Sequence, residues 1–293
     1  MENKPIKVLS LFNGMNTGRQ ALENVGIKVA KYYSSEIKPY AIELTQYHFP
    51  DTIQVGDVTK WKEWDIDWKT IDLILSGSPC QDLSAAGKRA GINGSKSGLF
   101  FVFVEILDHI KLLNPKVLFL QENVGSASKL DVGIMSRALG VYPCRINSSL
   151  LTAQLRDRYY WSNIKTKETI FDVVTDIPQP KDKKIMFKDI ITNGSVKKQK
   201  SCCLNERMIP SQLHKNNNEA SGQKRLKGRP QGMVILIEEN HLVRLPHTIE
   251  MCRLQGFPDN YCDILTTQKA GSLLGDGWTL PVIEHIFSFI LNR

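Results

Sequence analysis

Short apolar runs alternate with helical patterns through the first half of this chain, and that alternation constrains the fold more than any other feature. Residues 6–12 are apolar and strand-like, 17–25 helical, 29–34 strand-like and 39–47 helical. Residues 53–55, 71–75 and 117–120 continue the strands, with a strong amphipathic helix over 99–113 between the last two. Strands alternating with helices predict a parallel α/β sheet, Rossmann-like, with helices on both faces. Two more β-rich runs, 144–151 and 153–161, predict an antiparallel pair at one edge. Helical patterns return at 246–254 and 280–291.

The 293 residues, 42% hydrophobic, suffice for one large core and a smaller second unit. The polar start and the absence of any apolar run of membrane-spanning length predict no signal peptide, no membrane contact and a cytoplasmic protein. Six cysteines show no regular spacing and no C-x-x-C pair, which predicts free thiols and no metal. The net charge of +8 is concentrated: residues 181–229 hold thirteen Lys/Arg against four Asp/Glu, so the remainder sums to about −1. Clustered Lys/Arg suits phosphate neutralisation, and it equally suits a solvated loop. These shifts in texture divide the chain into 1–164, a basic segment 165–243, and a return to the first domain at 244–293.

The loops at the strands' carboxyl ends carry the candidate site residues, because open α/β sheets bind ligands there. The first is a Gly-containing turn, with Asn13, Gly14, Thr17 and Gly18, which lacks the G-x-G-x-x-G dinucleotide pattern. Glu36 follows the second strand and Asp57 the third; turn, acid and second acid suit S-adenosyl-L-methionine better than NAD or ATP. Glu36 is otherwise a surface salt bridge and Asp57 an N-cap. The fourth loop is Gly77-Ser78-Pro79-Cys80-Gln81. A lone cysteine there fits a buried thiol at least as well as a nucleophile. The fifth, 121–124, holds Glu122, which fits a helix cap or charge partner and, where desolvation favours the neutral form, a proton-donating acid. In the last β run, alternation sends Gln154, Arg156 and Arg158 to one face, as an anion clamp or as exposed polar residues.

Taken in order, Phe12-x-Gly14, Pro79-Cys80-Gln81, Glu122-Asn123-Val124, Gln154-x-Arg156-x-Arg158, Arg253-Leu254-Gln255-Gly256-Phe257-Pro258 and a tail around Trp278-Thr279-Leu280-Pro281-Val282 resemble the motif series of the DNA (cytosine-5) methyltransferases. The tail is closest to that of the animal de novo members, although Asp276 and Gly277 stand where those carry Arg and Ser. The resemblance covers most of the chain outside 165–243.

It implies transfer of a methyl group from S-adenosyl-L-methionine to C5 of a cytosine flipped out of duplex DNA. Cys80 would add at C6, Glu122 would serve N3, Arg158 would hold O2, and Arg156 would steady the neighbouring backbone or the active-site loop. Phe12, Asn13, Gly14, Thr17, Gly18, Glu36, Asp57, Val58, Ser78 and Trp278 would bind the cofactor. Gln81, Ser84, Lys88, Arg89, Lys197, Lys198 and Lys200 would contact DNA, with 165–243 as the target-recognition segment. A restriction endonuclease counterpart is the further partner implied, with the oligomeric state left open. RNA cytosine methylation and a catalytically silent DNA-binding regulator are the alternatives.

Overall fold

The computed structural model describes residues 4–79, 98–204, 237–239 and 242–291. Two compact units emerge: 1–146 with 157–179 and 283–293, and 147–156 with 180–282. The second unit thus takes in a short piece before 157 and starts again at 180, whereas composition alone drew the basic segment at 165–243.

In the first unit β1 (Ile6–Leu11), α1 (Thr17–Asn24), β2 (Val29–Ser35), α2 (Pro39–His48) and β3 (Ile53–Gln54) wind in one direction. β4 (Leu73–Ser76), α3 (Leu99–Leu113) and β5 (Leu118–Val124) wind in the other, followed by α4 (Lys129–Leu139), β6 (Cys144–Asn147) and β7 (Asp157–Ser162). The sheet order is β3-β2-β1-β4-β5-β7-β6. β1 pairs in parallel with both β2 and β4, and β4 with β5, while β7 runs antiparallel to β5. The winding reverses between β1 and β4, so the ligand crevice of such a sheet opens at their carboxyl ends.

Strands buried on both faces explain why Leu73–Ser76 reads as a continuous apolar run: every residue of it is buried. Leu9, Leu11, Ile74, Phe103, Phe119 and Trp161 belong to one buried cluster. Trp161 is fully buried and satisfies its indole by donating to Ser136 Oγ at 2.9 Å.

The strand and helix boundaries differ from expectation in several places, the last helix ending at Phe287 and not at 291 among them. β5 does not stop at 120; pairing with β7 carries it through Gln121, Glu122, Asn123 and Val124, so Glu122 sits on a strand and not on a loop. The run 153–156 is not part of β7. Its backbone bonds instead to Ser201, with Leu155 N–H donating to Ser201 O at 2.9 Å and Ser201 N–H to Ala153 O at 2.7 Å. The run from 144 ends as a strand at Asn147, whose Oδ1 accepts from Ser149 N and turns the chain. A short hairpin, β8 (Thr166–Glu168) with β9 (Val173–Thr175), completes the described strands of the first unit.

The second unit contains the hairpin β10 (Ile237–Glu239) and β11 (Leu242–Arg244), then α5 (Thr248–Gln255) and α6 (Thr267–Asp276). The last helix, α7 (Leu280–Phe287), leads back to the first unit. Among the described residues no helix is long and apolar enough to cross a membrane.

Candidate active site

Three residues of the turn after β1 lie in the left-handed region: Phe12 (φ 54°), Gly14 (φ 57°) and Asn16 (φ 63°). Two of them are not glycine, a costly backbone that persists only where surroundings impose it. Glu36, at the end of β2, supplies part of that imposition. Its Oε2 accepts from Gly14 N at 2.8 Å, while Oε1 accepts from Ile37 N and Lys38 N. Asn13 is held by Tyr32, which donates to its Oδ1 at 3.3 Å. Thr17 and Gly18 open α1 from the same turn and are buried.

Gly18 fits because it lacks a side chain: a Cβ there would come 2.5 Å from Leu75 Cδ1 and 3.0 Å from Tyr32 Oη. Asp57 caps the 3₁₀ turn after β3, its Oδ1 accepting from Thr59 N and Oγ1, both at 2.9 Å. Those bonds hold its carboxyl below the usual range. Val58 beside it is buried and Ile37 is 70% exposed.

Several buried polar atoms around this crevice lack a hydrogen-bond partner among the described residues: both amide atoms of Asn16, Ser34 Oγ, Ser76 Oγ and Gln121 Oε1. Buried polar groups left without partners are rare, and here they gather where the sheet's winding reverses. They suit a polar ligand carrying both donors and acceptors. Asn16, Ser76 and Gln121 were not singled out from sequence, where a turn Asn and two strand-end polar residues look ordinary.

Ser78 is buried and pinned by Gln121, which donates to its Oγ at 2.9 Å and to Glu122 O at 2.7 Å. This fixes the chain two residues before Cys80. Cys80 itself, with Gln81, Ser84, Lys88 and Arg89, lies outside the described residues. Three other thiols are poor nucleophiles, because burial pushes Cys144 up to about 12 and also raises Cys202. Cys262 is raised by its hydrogen bond with Cys252 and by burial.

On β5 and β7 the structure brings Glu122 and Arg158 together. Arg158 Nε lies 2.8 Å from Glu122 Oε1, with the side chains 15% and 12% exposed. A guanidinium thus stands beside the Glu122 carboxyl group, the charge-partner contact open to a glutamate at a buried strand end.

Arg156 belongs to the second unit and works differently. It is 3% exposed; Nη1 donates to Leu204 O at 2.9 Å, and Nη2 to Gly275 O at 3.1 Å and Gly277 O at 2.8 Å. Its guanidinium is thus committed to three carbonyls, tying residue 204 to the turn after α6, in keeping with a role in steadying backbone. Gln154 reinforces the tie, accepting from Leu204 N at 2.7 Å and donating to Leu254 O at 3.0 Å. Thr279 donates to Gln255 Oε1 at 2.8 Å in the same network. Trp278 is half-buried in this second unit.

Lys197 and Lys198 are exposed, as phosphate contacts require. Lys200 is not available in the same way. Its Nζ donates to Ser149 O and Ile185 O at 2.6 Å and to Thr152 O at 3.0 Å, so all three N–H groups are used internally.

Residues 6–139 match the family of C-5 cytosine-specific DNA methylases. The type II methyltransferase M.NlaIV of Neisseria lactamica is 38% identical over 123 residues, covering 41% of this chain and 28% of the relative. The type II methyltransferase M1.ScrFI of Lactococcus lactis subsp. cremoris is 28% identical over 98% of this chain and 78% of its own length. The chain thus spans little more than a quarter of the first relative. Among solved structures, the Entamoeba histolytica methyltransferase EhMeth superposes with a TM-score of 0.65 at 16% identity, over 99% of this chain and 98% of that one. A DNA modification methyltransferase encoded within an Escherichia coli prophage gives 0.61 at 19% identity, over 98% and 99%. These structural likenesses show a shared fold.

Proposed function

We propose that this chain is a DNA (cytosine-5-)-methyltransferase acting on duplex DNA, a member of the C-5 cytosine-specific DNA methylase family that residues 6–139 match. The observation that carries the reading is the Glu122–Arg158 ion pair at the open end of β5 and β7, beside the Ser78 loop that leads to Cys80. An acid able to give a proton and a guanidinium that donates N–H groups suit a cytosine's N3 and O2, which are both acceptors.

In this reading the Cys80 thiolate adds to C6 and forms a C–S bond, and charge moves onto the ring. Glu122 serves N3, carrying the proton that N3 takes as the ring gains charge, while Arg158 donates to O2. Addition at C6 makes C5 nucleophilic. After C5 is alkylated, loss of its proton and expulsion of Cys80 restore the aromatic ring as 5-methylcytosine. S-adenosyl-L-methionine, when bound, supplies an electrophilic methyl group on a sulfonium. The residues that would hold it in the first unit are Phe12, Asn13, Gly14, Thr17, Gly18, Glu36, Asp57, Val58 and Ser78, joined by Asn16, Ser76 and Gln121, whose side chains each keep a buried polar atom without a partner among the described residues. Trp278 is assigned to the cofactor by the motif resemblance alone.

Extruding the base costs roughly a few kcal/mol, offset by contacts to the duplex. Gln81, Ser84, Lys88, Arg89, Lys197 and Lys198 are the residues assigned to those contacts, with the 165–243 segment choosing the sequence. A restriction endonuclease reading the same sequence would be the counterpart in the host cell. Bisulfite sequencing of DNA from bacteria expressing the chain tests the reading. Conversion-resistant cytosines at one recurring sequence are expected, and fully convertible DNA alongside methylated tRNA would replace it.

A further inference from the structure

We propose that Asp157, clamped by Arg145, is a positioning residue that sets the orientation of the Arg158 guanidinium; the inference rests on the catalytic reading above. Asp157 is the variable position between the two arginines of Gln154-x-Arg156-x-Arg158, and nothing in the sequence pattern marks it or Arg145.

The structure makes Asp157 a junction. Its carboxylate Oδ2 accepts from Arg145 Nε at 2.8 Å and from Arg145 Nη2. Its main-chain carbonyl accepts from two donors that belong to the candidate site: Gly125 N at 3.0 Å, just past the Glu122-Asn123-Val124 motif, and Arg158 Nη1 at 2.8 Å. Gly125 allows this approach because it has no side chain. A Cβ there would stand 2.8 Å from both the carbonyl oxygen and Oδ2 of Asp157, and 2.9 Å from its Cγ.

A guanidinium is a rigid plane. Tethering Nη1 to the Asp157 carbonyl while Nε meets Glu122 Oε1 at 2.8 Å therefore fixes the plane of the whole group. Arg145 holds Asp157 from the other side and is itself anchored. Its guanidinium carbon lies 5.3 Å from the Tyr159 ring centre, and its carbonyl accepts from Gln179 Nε2 at 2.7 Å.

The Arg145 and Asp157 side chains are 54% and 32% exposed. An ion pair that open to water contributes little to stability. Its effect should therefore appear in catalytic geometry and not in folding, since small misplacements of a reacting group are costly in rate.

The test is steady-state methyl incorporation into unmethylated genomic DNA. Arg145→Gln and Asp157→Asn are each expected to lower kcat about tenfold, with KM for DNA and thermal stability near wild type. Asp157→Glu, which keeps the carboxylate, should recover much of the loss. In an Arg158→Lys background Asp157→Asn should add no further loss, because the group it positions is gone. Unchanged kcat in both single variants would overturn the inference, as would losses that multiply with Arg158→Lys. Should Asp157→Asn fail to fold, Arg145→Gln carries the test with Asp157 intact. A wild-type chain that methylates no DNA would instead overturn the catalytic reading; an active wild type with indifferent variants would leave that reading standing.

Discussion

Replacing Glu250 by Gln should destabilise the second unit in a way that depends on pH. Glu250, on α5, is fully buried. Arg244 donates to it twice, Nη1 to Oε2 at 2.7 Å and Nη2 to Oε1 at 2.9 Å. Thr192 adds N–H and Oγ1 donors at 2.8 and 2.9 Å, and His247 N donates at 2.7 Å. Burial alone would raise the Glu250 carboxyl, but these donors outweigh it and lower it from 4.5 to about 2. At 1.36 kcal/mol per unit, the difference corresponds to about 3 kcal/mol of stability.

Because the folded value is the depressed one, the contribution is full above pH 5 and is lost as pH falls through 4.5 towards 2. By pH 3 more than half is gone. Gln keeps the shape and removes the charge, leaving Arg244 facing an amide, a loss of about 3 kcal/mol at pH 7. Urea unfolding reads this out, with Trp278 fluorescence as a local probe: the other four tryptophans, 61, 64, 68 and 161, lie in the first unit. A gap between wild type and Glu250→Gln that narrows by more than half between pH 5 and pH 3 is expected. A gap that stays constant over that range, or is absent at pH 7, would refute the reasoning.

Other consequences are as direct. Gly18→Ala should cost about 1–3 kcal/mol, since the added methyl meets Leu75 and Tyr32, both fully buried; calorimetry showing unchanged stability would contradict the packing described. Neutralising Lys197 and Lys198 together should flatten the slope of log affinity for duplex DNA against log salt by about 1.8. Lys200→Ala should leave that slope alone and lower the unfolding midpoint, because its ammonium bonds three carbonyls; the reverse pattern would remove the distinction drawn between these lysines.

The winding sheet was legible because two-sided burial writes apolar runs such as Leu73–Ser76, and α3 has the bounds its amphipathic pattern predicts. α4 escaped notice: Gly133 and the polar residues around it blur its apolar face. The true length of β5 was hidden because it depends on β7, a partner far along the chain, which draws Gln121, Glu122 and Asn123 into the ladder. Residue types singled out the turn after β1, Glu36, Glu122 and Arg158 one by one, but gave no sign that the last two meet. They could not separate Arg156 from Arg158, since two arginines at alternate positions look equivalent until their partners are seen. Lys200 was misjudged for a related reason: a lysine in a basic tract gives no sign that carbonyls surround it.

The central claim is that Cys80 is the nucleophile of a cytosine C5 methyl transfer. A fluorine at C5 blocks the proton loss that would release the thiol, so 5-fluorocytosine in a duplex holding the methylated sequence should trap the enzyme. Incubation with S-adenosyl-L-methionine, followed by peptide mass spectrometry, is predicted to show a covalent adduct on Cys80 that Cys80→Ala abolishes. An adduct on another cysteine, or methyl transfer that persists in Cys80→Ala, would contradict the account.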